Sequence, residues 1–136
     1  MSVKVLLSTG LMFFLAAVFT PLHADVVDRL LEEYKAAGAG PFSAQAGEQR
    51  WKEIHTNKKT GKPINCQTCH GENLTLAGKH MKTGKVIDPL APSVNSERLT
   101  DIKFINKWFK RNCKQVLGRE CTSQEKGDYL EYLRAQ

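Results

Sequence analysis

The pentapeptide Cys66-Gln67-Thr68-Cys69-His70 decides what kind of protein this chain is. C-x-x-C-H is the attachment pattern of c-type haem, in which both cysteine sulfurs bond to the porphyrin and the adjoining histidine binds the iron. The short spacer between the cysteines lets both thiols reach one porphyrin edge. The motif therefore predicts one covalent haem c, bound through Cys66 and Cys69, with His70 as the proximal iron ligand.

Other uses of the cysteines fit the sequence less well. A four-thiolate zinc site would also need Cys113 and Cys121, but the adjoining His70 and the irregular second spacing are atypical of such sites. A thioredoxin-like redox pair at Cys66 and Cys69 would be surrounded by a strand-rich βαβ pattern, which is missing. In an oxidising compartment, the leftover pair Cys113 and Cys121 favours a disulfide.

The first residues predict an export signal. Lys4 supplies a positive start, residues 5–19 form an apolar run, and Ala24 is a small residue at a suitable cleavage position. A retained membrane anchor is the alternative, but the run is short and lacks a basic flank after it. Because thioether attachment of haem takes place outside the bacterial cytoplasm, we expect a periplasmic protein with residues 1–24 removed.

Length and charge limit the organisation and the partners of the remaining chain. Residues 25–136 are long enough for one small domain, a cytochrome c domain whose residues 25–40 form an N-terminal helical extension. The net charge of +6 falls to about +3 once Lys4 is removed and two haem propionates are added. This mild excess favours an acidic protein partner, for which the lysines at 58, 59, 62, 79, 82 and 85 are candidates. No nucleic-acid partner is expected, because no basic stripe with interleaved aromatics is present.

The periodicity is helical throughout. Apolar residues predict a helix over 25–37, and Ser43 precedes a second helix that runs to about His55. In this second helix Gly47 and Trp51 share one face, which predicts a close helix crossing at the glycine. A further helix is expected over 102–113, capped by Thr100 or Asp101.

The terminal helix carries a capping box at 122–125, and residues 71–98 are expected to be mostly loop with at most one helical turn. A long irregular segment is expected where a chain wraps a haem, because the cofactor takes the place of regular core. The sequence therefore predicts an all-α fold.

The residues alone leave the sixth iron ligand open. Met81 is the one methionine after the predicted signal, and it follows His70 closely for a distal ligand. His80 and His55 are alternative ligands, although a surface role is favoured for His55. The iron could also be five-coordinate, and Asn112 is by itself typical of a residue that caps a helix end.

Several elements together resemble the sphaeroides haem protein family. They are CQTCHGEN at 66–73, the loop from TGK at 83–85 through PLAPS at 89–93, the segment from Trp108 to RNC at 111–113, and GRECT at 118–122. The similarity extends over essentially the whole chain after the signal. The elements around Asn112 are far more specific than C-x-x-C-H itself.

This resemblance implies a class I cytochrome c-like, all-α fold with an extra N-terminal helix. It also implies that the side chain of Asn112 is the distal iron ligand in the oxidised state, and that a disulfide joins Cys113 to Cys121 beside it. The chain departs from the family pattern at Lys79-His80-Met81. If His80 or Met81 bound the iron, the assignment of Asn112 would be wrong.

The function implied is a periplasmic monohaem cytochrome whose weak asparagine ligand leaves on reduction, so that oxygen, nitric oxide or carbon monoxide can bind. The family further implies electrons from a dihaem cytochrome c, and contact with the membrane only through a cytochrome b. Reduction of oxygen or nitrogen species at the open site would make the protein an enzyme, but no distal His–Arg pair of the peroxidase kind is present. The alternatives are a simple six-coordinate electron carrier and a gas sensor without electron transfer.

Overall fold

The computed structural model describes residues 25–136, so the predicted signal peptide at 1–24 lies outside the described residues. Five helices and two hairpins follow one another along this part of the chain. The helices are α1 (Val26–Ala36), α2 (Ala44–Lys52), α3 (Gln67–His70), α4 (Ile102–Val116) and α5 (Ser123–Arg134). The strands are β1 (His55–Thr56), β2 (Pro63–Ile64), β3 (Gly78–Lys79) and β4 (Val86–Ile87). β1 pairs with β2 and β3 with β4, both antiparallel. None of the helices within 25–136 is long and apolar enough to span a bilayer.

The predicted helix starts are confirmed at the side-chain level. The hydroxyl of Ser43 accepts a hydrogen bond from the backbone N–H of Ala46 at the start of α2, and Asp101 caps α4 in the same way. At α5 both bonds of the capping box between Thr122 and Glu125 are present. These caps satisfy backbone N–H groups that would otherwise lack partners at the helix ends.

α2 and α5 cross closely at Gly47, as the sequence predicted. A Cβ atom at Gly47 would collide with the backbone carbonyl of Asp128 and would lie 2.7 Å from Cβ of Tyr132. Trp51, one turn further on, is buried against Tyr129 and Tyr132 of α5. The crossing therefore fixes the position of α2 before the chain enters the haem motif.

Two hydrophobic clusters form the core. One joins α1 to α4 and α5, and its buried members are Val27, Leu30, Leu31, Tyr34, Ile105 and Leu130. The other lies around the predicted site, and its buried members are Trp51, Leu74, Ala91, Cys113, Cys121, Tyr129 and Tyr132. Phe109 packs against both clusters, so α4 connects the N-terminal helix with the site.

Two predicted helix ends were wrong, and two hairpins were not predicted. α2 ends at Lys52, because Glu53 has extended backbone and His55 pairs with Ile64 in a hairpin. α4 continues past Cys113 to Val116. The segment 71–98 is mostly loop with one helical turn, in which the N–H of Asn95 donates to the carbonyl of Ala91 at 3.1 Å, but it also contains the β3–β4 hairpin. The strands of both hairpins have two residues each, too few to give an alternating pattern in the sequence.

Candidate haem site

The haem motif lies on the short helix α3, held in place by its own side chains. The backbone N–H of Asn65 donates to Oγ1 of Thr68 at 3.0 Å, and the N–H of Thr68 donates back to Oδ1 of Asn65 at 3.0 Å. The N–H of His70 donates to the carbonyl of Cys66 at 3.1 Å. Cys66 and Cys69 are partly buried and are not joined to each other. This turn therefore presents two free thiols and a histidine from one rigid segment.

The imidazole of His70 packs against an aromatic side chain. The ring of Trp51 lies 5.4 Å from the ring of His70, centroid to centroid. Nδ1 of His70 is buried without a hydrogen-bond partner among residues 25–136. Burial, with a smaller contribution from Arg98, lowers the pKa of His70 to about 4. The imidazole is therefore neutral at pH 7, which is the form that binds iron.

The cysteine environments fit a covalent haem better than the alternatives. Burial raises the pKa of the Cys66 thiol to about 12, whereas a thioredoxin-like nucleophile has a lowered pKa. A disulfide joins Cys113 and Cys121, the pair that the resemblance implies, and their Cα atoms are 5.5 Å apart. Because both sulfurs are used in this bond, a four-thiolate zinc site cannot form.

Asn112 lies inside α4 rather than at its end. The helix continues to Val116 and is capped by Leu117, so the interpretation of Asn112 as a helix cap is wrong. Asn112 is half-buried, and its carboxamide makes no side-chain hydrogen bond to another group of residues 25–136. Trp108, one turn earlier, stacks edge-on against Phe104 at 5.9 Å. Asn112 therefore has an amide without a hydrogen-bond partner, on a helix that also carries the aromatic pair Phe104 and Trp108.

The loop between α4 and α5, residues 117–122, is anchored to α5. Arg119 donates two hydrogen bonds of 2.7 Å to the carboxylate of Glu125, and the disulfide ties Cys113 to Cys121. The hydrogen bonds from Arg119 are the largest of the effects that lower the pKa of Glu125 to about 2. The structure thus assigns Arg119 to this anchor.

The other candidate ligands lie on the two hairpins. Nδ1 of His80 contacts the hydroxyl of Thr83 at 2.9 Å and accepts a hydrogen bond from its backbone N–H at 3.2 Å. The N–H of Met81 donates to Sγ of Cys69 at 3.4 Å. His55 is half-buried in β1, and its Nε2 makes no hydrogen bond within residues 25–136 and lies 3.9 Å from the carboxylate of Glu53.

Aromatic packing links the two predicted axial ligands. The ring centroids of Phe109 in α4 and Tyr129 are 6.3 Å apart, and those of Tyr129 and Trp51 are 6.2 Å apart. Trp51 in turn contacts His70. Cys66 packs against the same cluster that contains Cys113. The structure thus gathers the haem motif and the Asn112 segment around one core. The sequence indicated Trp51 only as a packing residue and gave no signal for its contact with His70.

Comparison with known proteins identifies the family. A family model described as a domain of unknown function, DUF1924, matches residues 37–133. Cytochrome c-type protein SHP of Cereibacter sphaeroides is 44% identical over 108 residues, which cover 79% of this chain and 82% of SHP. The chain belongs to the sphaeroides haem protein family.

Solved structures confirm the predicted cytochrome c-like fold. The structure of oxidised SHP, described as an oxygen-binding cytochrome c, matches with a TM-score of 0.73 at 43% identity, covering 81% of this chain and 96% of that one. Oxidised cytochrome c'' from Methylophilus methylotrophus matches with a TM-score of 0.70 at 30% identity, covering 82% and 94%. The family places haem chemistry in this fold, and the residues of this chain fit that cofactor.

Proposed function

We propose that this protein is a monohaem c-type cytochrome that binds small diatomic molecules when reduced. Cys66 and Cys69 attach the haem, His70 is the proximal ligand, and Asn112 is a weak distal ligand that is released on reduction. The observation that carries this proposal is the carboxamide of Asn112, half-buried inside α4 and without a hydrogen bond to any described group. An amide in the interior of a helix has no capping role, so its oxygen is available to act as a ligand.

The haem, when bound, supplies an iron that changes oxidation state and accepts a sixth ligand. The carboxamide oxygen of Asn112 is a weak, hard donor that suits ferric iron better than the softer ferrous iron. Reduction should therefore loosen it and open the distal side. The released amide can then donate a hydrogen bond to an incoming diatomic molecule.

The surroundings of Asn112 support a restrained release. The disulfide at Cys113 and the Arg119–Glu125 pair hold the segment that follows. The backbone can therefore keep its position while the side chain changes rotamer. On the other side, the neutral imidazole of His70 packs against Trp51, so the proximal ligand stays in place in both oxidation states.

The relatives support the same direction. SHP is described as an oxygen-binding cytochrome c. A solution structure of Methylophilus methylotrophus cytochrome c'', 33% identical to this chain, addresses the structural basis of haem-ligand detachment. Ligand release and gas binding are thus both associated with close structural neighbours, and we extend them to this chain through Asn112.

The proposal includes an electron supply and a location. A dihaem cytochrome c would reduce the protein in the periplasm, with a membrane cytochrome b further upstream, and residues 1–24 would direct export. The opened site could then act as a terminal reductase of oxygen or nitrogen species.

Ferric absorption spectra of single variants test the ligand assignment. Asn112→Ala should lose the wild-type ferric coordination and become largely high-spin, because alanine offers no donor. His55→Ala, His80→Ala and Met81→Ala are the matched controls, and each should keep the wild-type ferric spectrum. An unchanged spectrum in Asn112→Ala, or a changed one in any of the three controls, would assign the distal position to another residue.

A further inference from the structure

The β3–β4 hairpin packs directly on the haem motif. A Cβ atom at Gly78 would collide with the carbonyl oxygen of Cys69 and would lie 2.9 Å from Cα of His70. The backbone N–H of Met81, at the tip of the hairpin, donates to Sγ of Cys69 at 3.4 Å. This sulfur is the atom that would bond to the porphyrin edge. The hairpin is therefore in direct contact with the residue that would carry this bond.

The hairpin is braced by its own hydrogen bonds. The N–H of His80 donates to the carbonyl of Lys85 at 2.8 Å, and the N–H of Gly84 donates to the carbonyl of His80 at 2.9 Å. Gly84 has a φ of +68°, which other residues adopt only with strain. Nδ1 of His80 is held by Thr83, so this imidazole stabilises the turn. A preformed surface loses little conformational entropy when a partner binds.

The hairpin and the residues just before it expose both apolar side chains and lysines, and Lys79 is paired directly with Val86. Leu76 is 62% exposed, Met81 43% and Val86 73%. Lys79, Lys82 and Lys85 are also exposed, and none of them forms a salt bridge within residues 25–136. The sequence has no acidic residue between Glu72 and Asp88. An apolar centre with a charged rim is the usual composition of a protein interface.

We propose that residues 76–87 form the docking surface for an acidic electron-transfer protein that reduces the haem. The partner's carboxylates would face Lys79, Lys82 and Lys85, and a small apolar patch would cover Met81. This inference rests on the proposed function, since it needs a haem that accepts electrons. The proposed docking surface is limited to this hairpin and does not include the lysines of α4 or of the 57–62 turn.

The position of the other lysines explains this choice. Lys58 lies along Gly118, with Nζ 3.5 Å from the Gly118 carbonyl, and so helps to hold the disulfide loop. Lys103, Lys107 and Lys110 are exposed on α4, and no contact of theirs with the haem motif is present among the described residues. Lys59 and Lys62 are exposed too, but no contact of theirs with the haem motif is present among residues 25–136. Within this part of the chain, the hairpin combines free positive charge with a hydrogen bond to Cys69.

Binding of an acidic flavodoxin to the ferric holoprotein tests the proposal without electron transfer. Isothermal titration calorimetry with the oxidised flavodoxin at 10 and 300 mM salt would compare wild type with a triple variant, Lys79→Glu, Lys82→Glu and Lys85→Glu. The matched control is Lys103→Glu, Lys107→Glu and Lys110→Glu, which changes the net charge equally. We expect at least a tenfold weaker affinity for the hairpin variant at low salt, less than threefold for the control, and weak binding of wild type at high salt.

Equal losses of affinity in both triple variants would mean that binding depends only on net charge, and this result would overturn the proposed docking surface. Wild-type affinity in the hairpin variant, or no binding of wild type at low salt, would overturn it as well. Absorption of the reduced variant with and without carbon monoxide separates this outcome from failure of the proposed function. If the haem function is right, the hairpin variant still binds carbon monoxide, because its distal side is unchanged.

Discussion

Asn112 and His70 define the chemistry at the scale of single residues. His70 is a neutral imidazole whose pKa is lowered to about 4 by burial, and it packs against Trp51. Asn112 carries an amide without a protein partner among the described residues. In the proposed function, a strong ligand on one side and a weak one on the other would make the coordination depend on the oxidation state. The side chain at position 112 would then decide whether the site opens.

Replacing the weak ligand by a strong one should close the site. In Asn112→His the imidazole should bind iron in both oxidation states, because it is a better donor than a carboxamide. We expect a low-spin ferric spectrum, and at least tenfold slower binding of carbon monoxide to the reduced protein. Stopped-flow absorption measures this rate. His80→Ala serves as the control and should bind carbon monoxide at the wild-type rate.

At the scale of elements, the close crossing of α2 and α5 positions the proximal side. Gly47 lets the helices approach until the backbone of Asp128 fills the space of a side chain. Asp128 is only 1% exposed and accepts hydrogen bonds from the backbone N–H of Ser43 and from Nε of Arg50. Because Trp51 follows on the same helix, any change in this crossing moves the wall beside His70.

Adding one methyl group at the crossing should therefore destabilise the fold. In Gly47→Ala the new Cβ meets a backbone carbonyl that cannot move aside, and overpacking of this kind costs about 1–3 kcal/mol. Urea unfolding followed by circular dichroism measures the loss. Gln49→Ala, at an exposed position of the same helix, should stay within about 0.5 kcal/mol of wild type. Equal stability of Gly47→Ala and wild type would show that the helices are not in such close contact.

The Arg119–Glu125 pair should make stability depend on pH. The pKa of Glu125 is lowered to about 2 from the usual 4.5, so its contribution is complete above pH 4.5 and is lost as the pH falls toward 2. Glu125→Gln should reduce the unfolding free energy at pH 7 by about 2 kcal/mol, the range for a hydrogen-bonded charge. This difference should vanish near pH 2.

A surface charge nearby provides the control for Glu125. Glu120 pairs with Lys114 at 3.3 Å, and both side chains are exposed. Glu120→Gln should cost less than about 1 kcal/mol at any pH, because exposed ion pairs contribute little. Urea unfolding series at pH 7, 4 and 2.5 compare the two variants. A difference for Glu125→Gln that stays constant across this range would contradict the assigned ion pair.

At the scale of the whole molecule, α5 connects both sides of the site. Tyr129 of α5 packs between Trp51 and Phe109. Glu125 of α5 accepts two hydrogen bonds from Arg119, in the loop that joins α4 to α5. The segments of both proposed axial ligands, His70 and Asn112, thus pack against one helix, although they are far apart in sequence. The disulfide strengthens this connection, since Cys113 follows Asn112 directly.

Removing the disulfide should loosen both the fold and the distal ligand. For the double variant Cys113→Ser and Cys121→Ser we expect a loss of about 2–3 kcal/mol in unfolding free energy, the value for a short closed loop. The ferric spectrum should also show a larger high-spin fraction, since Asn112 is held less firmly. Urea unfolding and absorption spectra measure the two effects. A stability loss with an unchanged spectrum would mean that the bond does not restrain Asn112.

The features that could be predicted from the sequence are those that neighbouring residues determine by themselves. C-x-x-C-H, the capping box at Thr122 and the small residue Gly47 each specify a local structure by their own geometry, and the helical fold followed from the apolar periodicity. The β3–β4 hairpin could not be predicted, because its two-residue strands are too short to show an alternating pattern. The hydrogen bond from Met81 to Cys69 has no local signature in the sequence.

The candidate site was predictable only in part. The proximal motif identifies itself, whereas Asn112 was indistinguishable from a helix cap until the family resemblance was considered. Its interior position in α4 and its unpartnered amide became visible only in three dimensions. Similarly, Trp51 had the spacing of a core residue, and its packing against His70 depends on the approach of α2 to α3.

The central claim is that reduction opens the distal side by releasing Asn112. Absorption spectra of the dithionite-reduced wild-type protein, recorded before and after addition of carbon monoxide, test it most directly. We predict a high-spin ferrous spectrum that shifts at once and completely when carbon monoxide is added. A low-spin ferrous spectrum that carbon monoxide leaves unchanged would contradict the claim and would identify the protein as a six-coordinate electron carrier.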